Sequence, residues 1–427
     1  MKVFSKFLVF LFIFNILCSF SKAEENKFGI NFGGYVKTDA FYDTRQTSNL
    51  REGHFLLYPL PVVKGIDEND INAKASFNIL SIQTRLFGNI IAPDAFGAKN
   101  TGYIEGEFFG TSDGDVNGFR LRHAYLKMDW GQTELLIGQM WTPMFIPDCF
   151  SGVISFNTGA PFQPFARNPQ IRLKQSFGNF SLYLTAFSQR DFTSIGPAGN
   201  SSIYLRNSGI PELNAKIEFT EKKSDYNLLC GLAGGYQTLT PRVANTYGLD
   251  VSNEKITGFE GSGYFKIKMS PIEFKLQGFY GQNATDLMQI GGYAVKYTNN
   301  VSQIINNQLD YTPLNVFSAW SEIISTFPTN YGKFEFAVFG GYTKNLGSND
   351  EIMKDNSSQY IIYGRNPNID YIYRISPRIA FDEGKTRFAF ETEYTTASYG
   401  TINSKGKVEN GSSVSNLRLL LSAFLFF

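Results

Sequence analysis

Ser413–Phe427 reads SVSNLRLLLSAFLFF. Ser415, Leu417, Leu419, Leu421, Ala423, Leu425 and Phe427 take alternate positions, with Asn416, Arg418 and Ser422 among the residues between them. Side chains alternate across a strand, so one face is apolar for about ten residues, the run a tilted strand needs to cross hydrocarbon. A buried terminal strand of a soluble sandwich would alternate in the same way. The remainder of the chain decides between the two.

Lys2 and Lys6 precede an apolar run from Phe7 to Leu17, and Ser21 and Ala23 flank Lys22 where a signal peptidase reads small residues. Residues 1–23 are therefore expected to be a secretory signal, and residues 24–427 a single barrel domain. Cys18 follows Leu17, which is larger than the small residue a lipobox places there, so no acyl anchor is expected. Beyond the signal no apolar run approaches the roughly 18 residues of a membrane helix. Three of the 39 basic residues fall in the signal, leaving 36 against 38 acidic ones, a balance with no basic surface for nucleic acid. Aromatic residues make up 16%, with 41 Phe and 23 Tyr, and there are 40 Gly; girdles at two membrane interfaces and many turns use that composition. Cys149 and Cys230 are too few for a disulfide framework; the alternatives are one bridge between them or, as expected for Cys230 in mid-strand, packing as a small apolar residue.

Alternation between turn signals gives about sixteen strands. They fall at 29–44, 73–88, 101–112, 117–129, 133–142, 169–176, 180–190, 212–221, 226–238, 257–269, 272–283, 313–325, 332–344, 369–381, 385–396 and 413–427. Tight turns at 130–132, 177–179, 222–225, 270–271 and 382–384 alternate with long connections at 45–72, 143–168, 284–312 and 345–368. An outer-membrane barrel has this arrangement, with short periplasmic turns and long outer loops. Segments 89–100 and 111–116 break the pattern, the first long for a turn and the second short for a loop. Parity agrees: Phe388, Phe390, Thr392 and Tyr394 face out while Arg387, Glu391 and Glu393 face in, and Ile272, Phe274 and Leu276 alternate with Glu273, Lys275 and Gln277. Pro377 cannot donate to a ladder, so a bulge or break is expected there.

Three motifs stand out: Gly34–Thr44 (GYVKTDAFYDT), Phe119–Leu126 (FRLRHAYL) and Gly138–Phe145 (GQMWTPMF). In these, and in the order of its long loops, the chain resembles the DcaP-like trimeric outer-membrane porins. The resemblance implies a homotrimer of sixteen-stranded barrels, embedded in outer-membrane lipid of a Gram-negative-type bacterium, that passes small polar solutes with a preference for organic anions such as dicarboxylates. It implies no cofactor. It also implies that Phe427 is the terminal signal read by the barrel-assembly machinery. Some members carry a helical stalk, for which Glu24 to Lys27 leave no length.

Read from their own positions, Phe119 and Leu121 alternate with Arg120 and Arg122, whereas Leu126 and Met128 alternate with Lys127 and Asp129. The parity reverses, so a bulge is expected near His123 or Ala124. Glu105 and Glu107 share a face of the preceding strand, and the short connection should bring Glu107 close to Arg122. Arg167, Arg172 and Lys174 extend the basic side chains toward the next strand, where Ile171 and Leu173 face out. Segment 143–168 carries Phe145, Phe150, Phe156, Phe162 and Phe165, which suits a loop folded inward as a constriction with Asp148 and Arg167 open to water; a mouth cap or a trimer contact would use the same residues. The arginines and glutamates read equally as a salt-bridged wall. Only His54 and His123 exist, neither at metal-ligand spacing, and no nucleophile elbow is present, so no enzymatic activity and no metal are expected. The alternatives are a sugar porin, with lumen aromatics stacking on rings, and a barrel enzyme built on His123.

Overall fold

A computed structural model describes residues 28–244, 251–300 and 308–427. The expected signal, residues 1–23, lies outside the described residues. Sixteen strands build the wall: β1 (Gly29–Asp43), β2 (Ser76–Leu80 and Arg85–Ile91), β3 (Lys99–Glu107), β4 (Arg120–Asp129), β5 (Thr133–Trp141), β6 (Arg167–Phe177), β7 (Phe180–Phe187) and β8 (Glu212–Lys222). They continue as β9 (Asn227–Leu239), β10 (Ile256–Met269), β11 (Ile272–Gln282), β12 (Asn315–Pro328), β13 (Lys333–Gly347), β14 (Ile369–Glu383), β15 (Thr386–Ile402) and β16 (Val408–Phe426). Each pairs antiparallel with its sequence neighbours, and β1 closes the ring on β16 with Tyr35 opposite Phe426 and Asp43 opposite Arg418. Closure leaves no edge, so every backbone group in the wall has a neighbour to bond.

On β16, Leu417, Leu419, Leu421 and Leu425 are exposed on the outside, while Asn416, Arg418, Leu420 and Ser422 are buried inside. The same division runs around the ring, with exposed Phe388, Phe390, Ile171, Leu173, Ile217 and Leu232 outside. A continuous apolar exterior around a charged interior is stable only with hydrocarbon on the outside, so the barrel spans a bilayer.

The irregularities have local causes. Glu105 lies opposite His123 but Gly106 lies opposite Leu121, so one residue is extra at Arg122 and the bulge turns both Arg122 and His123 inward. β2 is split: Ser81 to Thr84 leave the ladder, the register on β1 slips by one, and Gln83 reaches Lys37 inside. At Pro377 the strand continues without a bulge; register is kept on both sides and only the pairing of Ser376 and Pro377 with β15 lapses, where the missing N–H has nothing to donate. Two features were not anticipated. β15 and β16 run on past residues 396 and 413 as a hairpin turning at residues 403–407, and the long loops carry a small sheet of their own, Gly291–Val295 between Tyr311–Pro313 and Ile362–Arg365.

Candidate functional site: the barrel interior

Segment 142–166 leaves β5 and crosses the interior. Thr142 N–H donates to Ala166 carbonyl at 2.9 Å, which closes its base. Inward side chains of the wall then hold its backbone. Gly152 N–H donates to Glu322 Oε2 at 2.8 Å and Ile154 N–H to Glu391 Oε2 at 2.7 Å, while Lys37 Nζ donates to the Ile154 carbonyl at 2.7 Å. Arg374 Nη1 reaches the Ala160 carbonyl at 3.1 Å, Gln277 Nε2 the Met144 carbonyl at 3.0 Å and Lys266 Nζ the Asp148 carbonyl at 2.9 Å. Of its five phenylalanines, Phe145, Phe156, Phe162 and Phe165 are buried and pack with Phe55 and Phe109 from neighbouring loops and with Trp320 and Phe339 from the wall; Phe150 stays exposed. Aromatics that would be unfavourable in an outer loop are thereby placed in a dry cluster.

Arg120 and Arg122 point inward, as parity requires, but they do not face open water. Glu107 accepts from Arg120 Nη2 at 2.6 Å and Arg122 Nη1 at 2.7 Å on one oxygen, and from Arg85 Nε at 3.1 Å on the other. Arg122 also bonds Glu105. Arg167 Nη2 lies 2.6 Å from Asp191, with Arg120 Nη1 at 3.5 Å from the same carboxylate. Burial alone would raise the Asp191 carboxyl, but the guanidiniums of Arg167 and Arg120 beside it hold it below the usual range. Rings cover the cluster: Arg120 lies 4.6 Å from the Phe109 centroid and Arg167 4.9 Å from that of Trp141. Arg122 and Arg167 are 2% and 1% exposed, so the structure brings Arg120, Arg122, Arg167, Glu105 and Glu107 together as an enclosed network and removes most of it from the aqueous path. Arg85 and Asp191 are members that sequence reasoning missed; Arg85 alternates with apolar Leu86, a pattern of the same kind as Arg120.

Arg172 and Lys174 are placed differently. They line a cavity of about 440 Å³ toward the short-turn end, with Asp148, Lys216, Glu218 and Tyr183 among the other lining residues. Lys174 pairs with Glu134 at 2.8 Å, whereas Arg172 has the Trp141 carbonyl at 2.8 Å and no carboxylate among the described residues. A further cavity of about 490 Å³ at the same end is lined by Lys268, Lys275, Lys333, Arg378 and Arg387 against Glu273 and Glu335. Parity had placed Lys275 and Arg387 inside; Lys268, Lys333 and Arg378 were missed because no motif marks them.

Among the described residues, His123 Nδ1 is buried without a partner, and no group of three His, Cys, Asp or Glu is placed to hold a metal. Cys149 and Cys230 are free. Phe427 exchanges backbone hydrogen bonds with Gly34, its N–H donating at 3.1 Å, and its ring is exposed on the outer face.

No protein-family profile matches the chain, and no curated protein matches it in sequence. Solved structures do. The outer membrane channel DcaP of Acinetobacter baumannii is similar at TM-score 0.65 and 16% identity, covering 96% of this chain and all of that one. An anion-selective porin from Comamonas acidovorans is similar at TM-score 0.53 and 10% identity, over 94% of this chain and all of that one. The trimer form of OmpT, an outer membrane protein of Vibrio cholerae, is similar at TM-score 0.50 and 11% identity, over 94% of this chain and all of that one. The fold is that of the outer-membrane porin barrels.

Proposed function

We propose that this chain is an outer-membrane porin for passive diffusion of small hydrophilic solutes and ions, with a preference for organic anions such as dicarboxylates, working as a homotrimer after its signal is removed. The observation that carries the reading is the basic lining of the 440 Å³ cavity inside a closed apolar-coated barrel, where Lys127, Arg172, Lys174 and Lys216 stand against Glu134, Asp148 and Glu218 and Arg172 has no carboxylate within ion-pair distance among the described residues. Net charge near zero does not oppose it, because a charge at a narrow point acts over roughly the 8 to 10 Å of a Debye length. Two of the similar structures, one described as anion-selective and one as a trimer, support the preference and the assembly. Barrel-assembly machinery and outer-membrane lipid are the partners this reading needs.

Arg172, which has no carboxylate within ion-pair distance among the described residues, carries the preference with Lys174, which is paired to Glu134 but opens on the cavity, better than Arg120 and Arg122, whose charges are met by Glu105, Glu107 and Asp191. Changing Arg172 and Lys174 to Ala should lower the anion-to-cation permeability ratio about twofold or more at low salt, with a smaller change at high salt. The Arg120→Ala and Arg122→Ala pair should change it less. If the two double variants shift the reversal potential equally, the assignment of Arg172 and Lys174 fails. A sugar porin is the second reading, favoured by Tyr103, Tyr125 and Tyr183 lining the smaller cavity. Block of chloride current by neutral oligosaccharides but not by dicarboxylates would select it.

A further inference from the structure

Residues 284–290, between β11 and the small sheet of the loops, are folded into the long-loop end of the barrel. Ala284, Asp286, Leu287 and Met288 are each 0% exposed, and the apolar ones pack into the cluster that holds Phe145 and Phe165. Phe165 N–H donates to the Leu287 carbonyl at 3.0 Å, so this segment is seated directly on segment 142–166. The wall beside Asp286 brings two more buried carboxyls, Glu212 at the start of β8 and Glu260 on β10. Gln237 on β9 ties the group together. Its Nε2 donates to Glu212 Oε1 at 2.8 Å and to Asp286 Oδ1 at 3.4 Å, while its Oε1 accepts from Asn283 Nδ2 at 2.8 Å. Gln189 Nε2, from the connection after β7, donates to Glu212 Oε1 at 2.6 Å. The charge of Asp286 reaches both Glu212 and Glu260.

No cation balances these carboxyls: among the described residues none of the three has a lysine or arginine within ion-pair distance. Arg365, whose charge reaches Asp286 and which has Tyr58 near it, donates instead to the Thr285 carbonyl at 3.4 Å, and its Nε has no partner. Acceptors outnumber donors. Among the described residues Asp286 Oδ2, Asn283 Oδ1 and both amide atoms of Gln289 are without a partner, on side chains of residues at most 1% exposed. Buried carboxylates in such a place are neutralised rather than left charged. A metal ion could do this, but among the described residues no three acidic or histidine side chains converge to hold one. Protons remain, and a protonated carboxyl supplies the donor the group lacks. Burial pushes the Asp286 carboxyl up to about 7, with its own backbone N–H, Gln237 and Arg365 opposing.

Resting on the channel reading above, we infer that residues 284–290 are a proton-held stopper at the long-loop end: with Glu212, Glu260 and Asp286 protonated the segment stays seated on segment 142–166, and their ionisation drives it out into water and widens the path. The seated form binds more protons than the released form. Its hold is therefore complete below the ordinary aspartate value of about 3.9 and is lost as pH rises from there through about 7.

Met288, two residues from Asp286 and 0% exposed, is a built-in reporter, because peroxide oxidises a thioether only where it can reach it. Folded full-length protein is treated with hydrogen peroxide at steps from pH 4 to pH 8, and sulfoxide at Met288 is measured by peptide mass spectrometry relative to the exposed Met269. The ratio should rise about tenfold or more across that range, and the conductance of reconstituted channels should climb in the same window. The combined variant Glu212→Gln, Glu260→Gln and Asp286→Asn, verified as folded by heat-shifted gel mobility, should keep the low-pH ratio throughout; if it does not fold, Asp286→Asn alone should reduce the rise at least about twofold. A flat ratio in the wild type, or a rise unchanged by these substitutions, overturns the proton hold. A rising ratio beside a constant current overturns the role as stopper. A wild-type barrel without current at any pH overturns the channel reading instead, and the Met288 ratio then still reports whether ionisation releases the segment.

Discussion

Glu107 is fully buried and pairs with four guanidiniums, those of Arg85, Arg120 and Arg122 closely and that of Arg167 at 3.8 Å, so it is the residue on which the arginine network depends most. Replacing it with Gln keeps the shape and leaves Arg85, Arg120 and Arg122 short of one charge. Breaking a buried ion pair in this way costs about 3–5 kcal/mol, and the variant should lose its heat-resistant gel form at a lower temperature than wild type. A change confined to Lys64, whose partner Glu68 is well exposed, should leave that temperature unaltered. Cys149 gives a second residue-scale test: burial pushes its thiol up to about 11, so it should resist alkylation at pH 8 until the barrel is unfolded. At this scale the sequence was legible in direction but not in environment. Alternation placed Arg120, Arg122, Glu105 and Glu107 inside, yet their enclosure depends on Asp191, 71 residues beyond Arg120, and on the rings of Phe109 and Trp141 closing over them, and no local pattern reports that.

Among the elements, the hairpin of Thr47–Leu50 and Phe55–Pro59 dips into the interior and is fastened there by His54, whose Nε2 lies 2.6 Å from Asp39 on β1. Burial lowers the His54 pKa, with Lys37 and Arg418 adding to it and the Asp39 bond opposing. A buried neutral histidine binds fewer protons folded than unfolded, so its contribution is present above the unfolded value near 6.5 and is lost as pH falls below it. Proteolysis of the hairpin should therefore rise as pH drops from 7 toward 5, and His54→Gln should remove that pH dependence. The strands themselves were read to within a few residues because each is half lipid-facing and its period of two is strict. The bulge at Arg122 was legible as a parity change. The split in β2 was not, since Ser81 to Thr84 carry no turn signal, and Pro377 fits a continuous strand because only one of its two neighbours needs the missing donor.

For the molecule as a whole, closure of sixteen strands predicts that unboiled protein migrates differently from boiled protein in SDS, with a far-ultraviolet spectrum dominated by strand. Sixteen strands and the alternation of short turns with long loops were legible because both follow from membrane crossing. The filling of the interior was legible only in part: the phenylalanines of 143–168 pointed to an inward loop, but the hairpin carrying Phe55, which packs against it, left no such mark. The central claim is a channel that prefers anions, and reversal potential in a planar bilayer under a KCl gradient measures it most directly. The account predicts discrete conductance steps, closing in threes, and a reversal potential of the sign set by chloride. Folded protein that carries no current, or one whose reversal potential has the sign set by potassium, would contradict it.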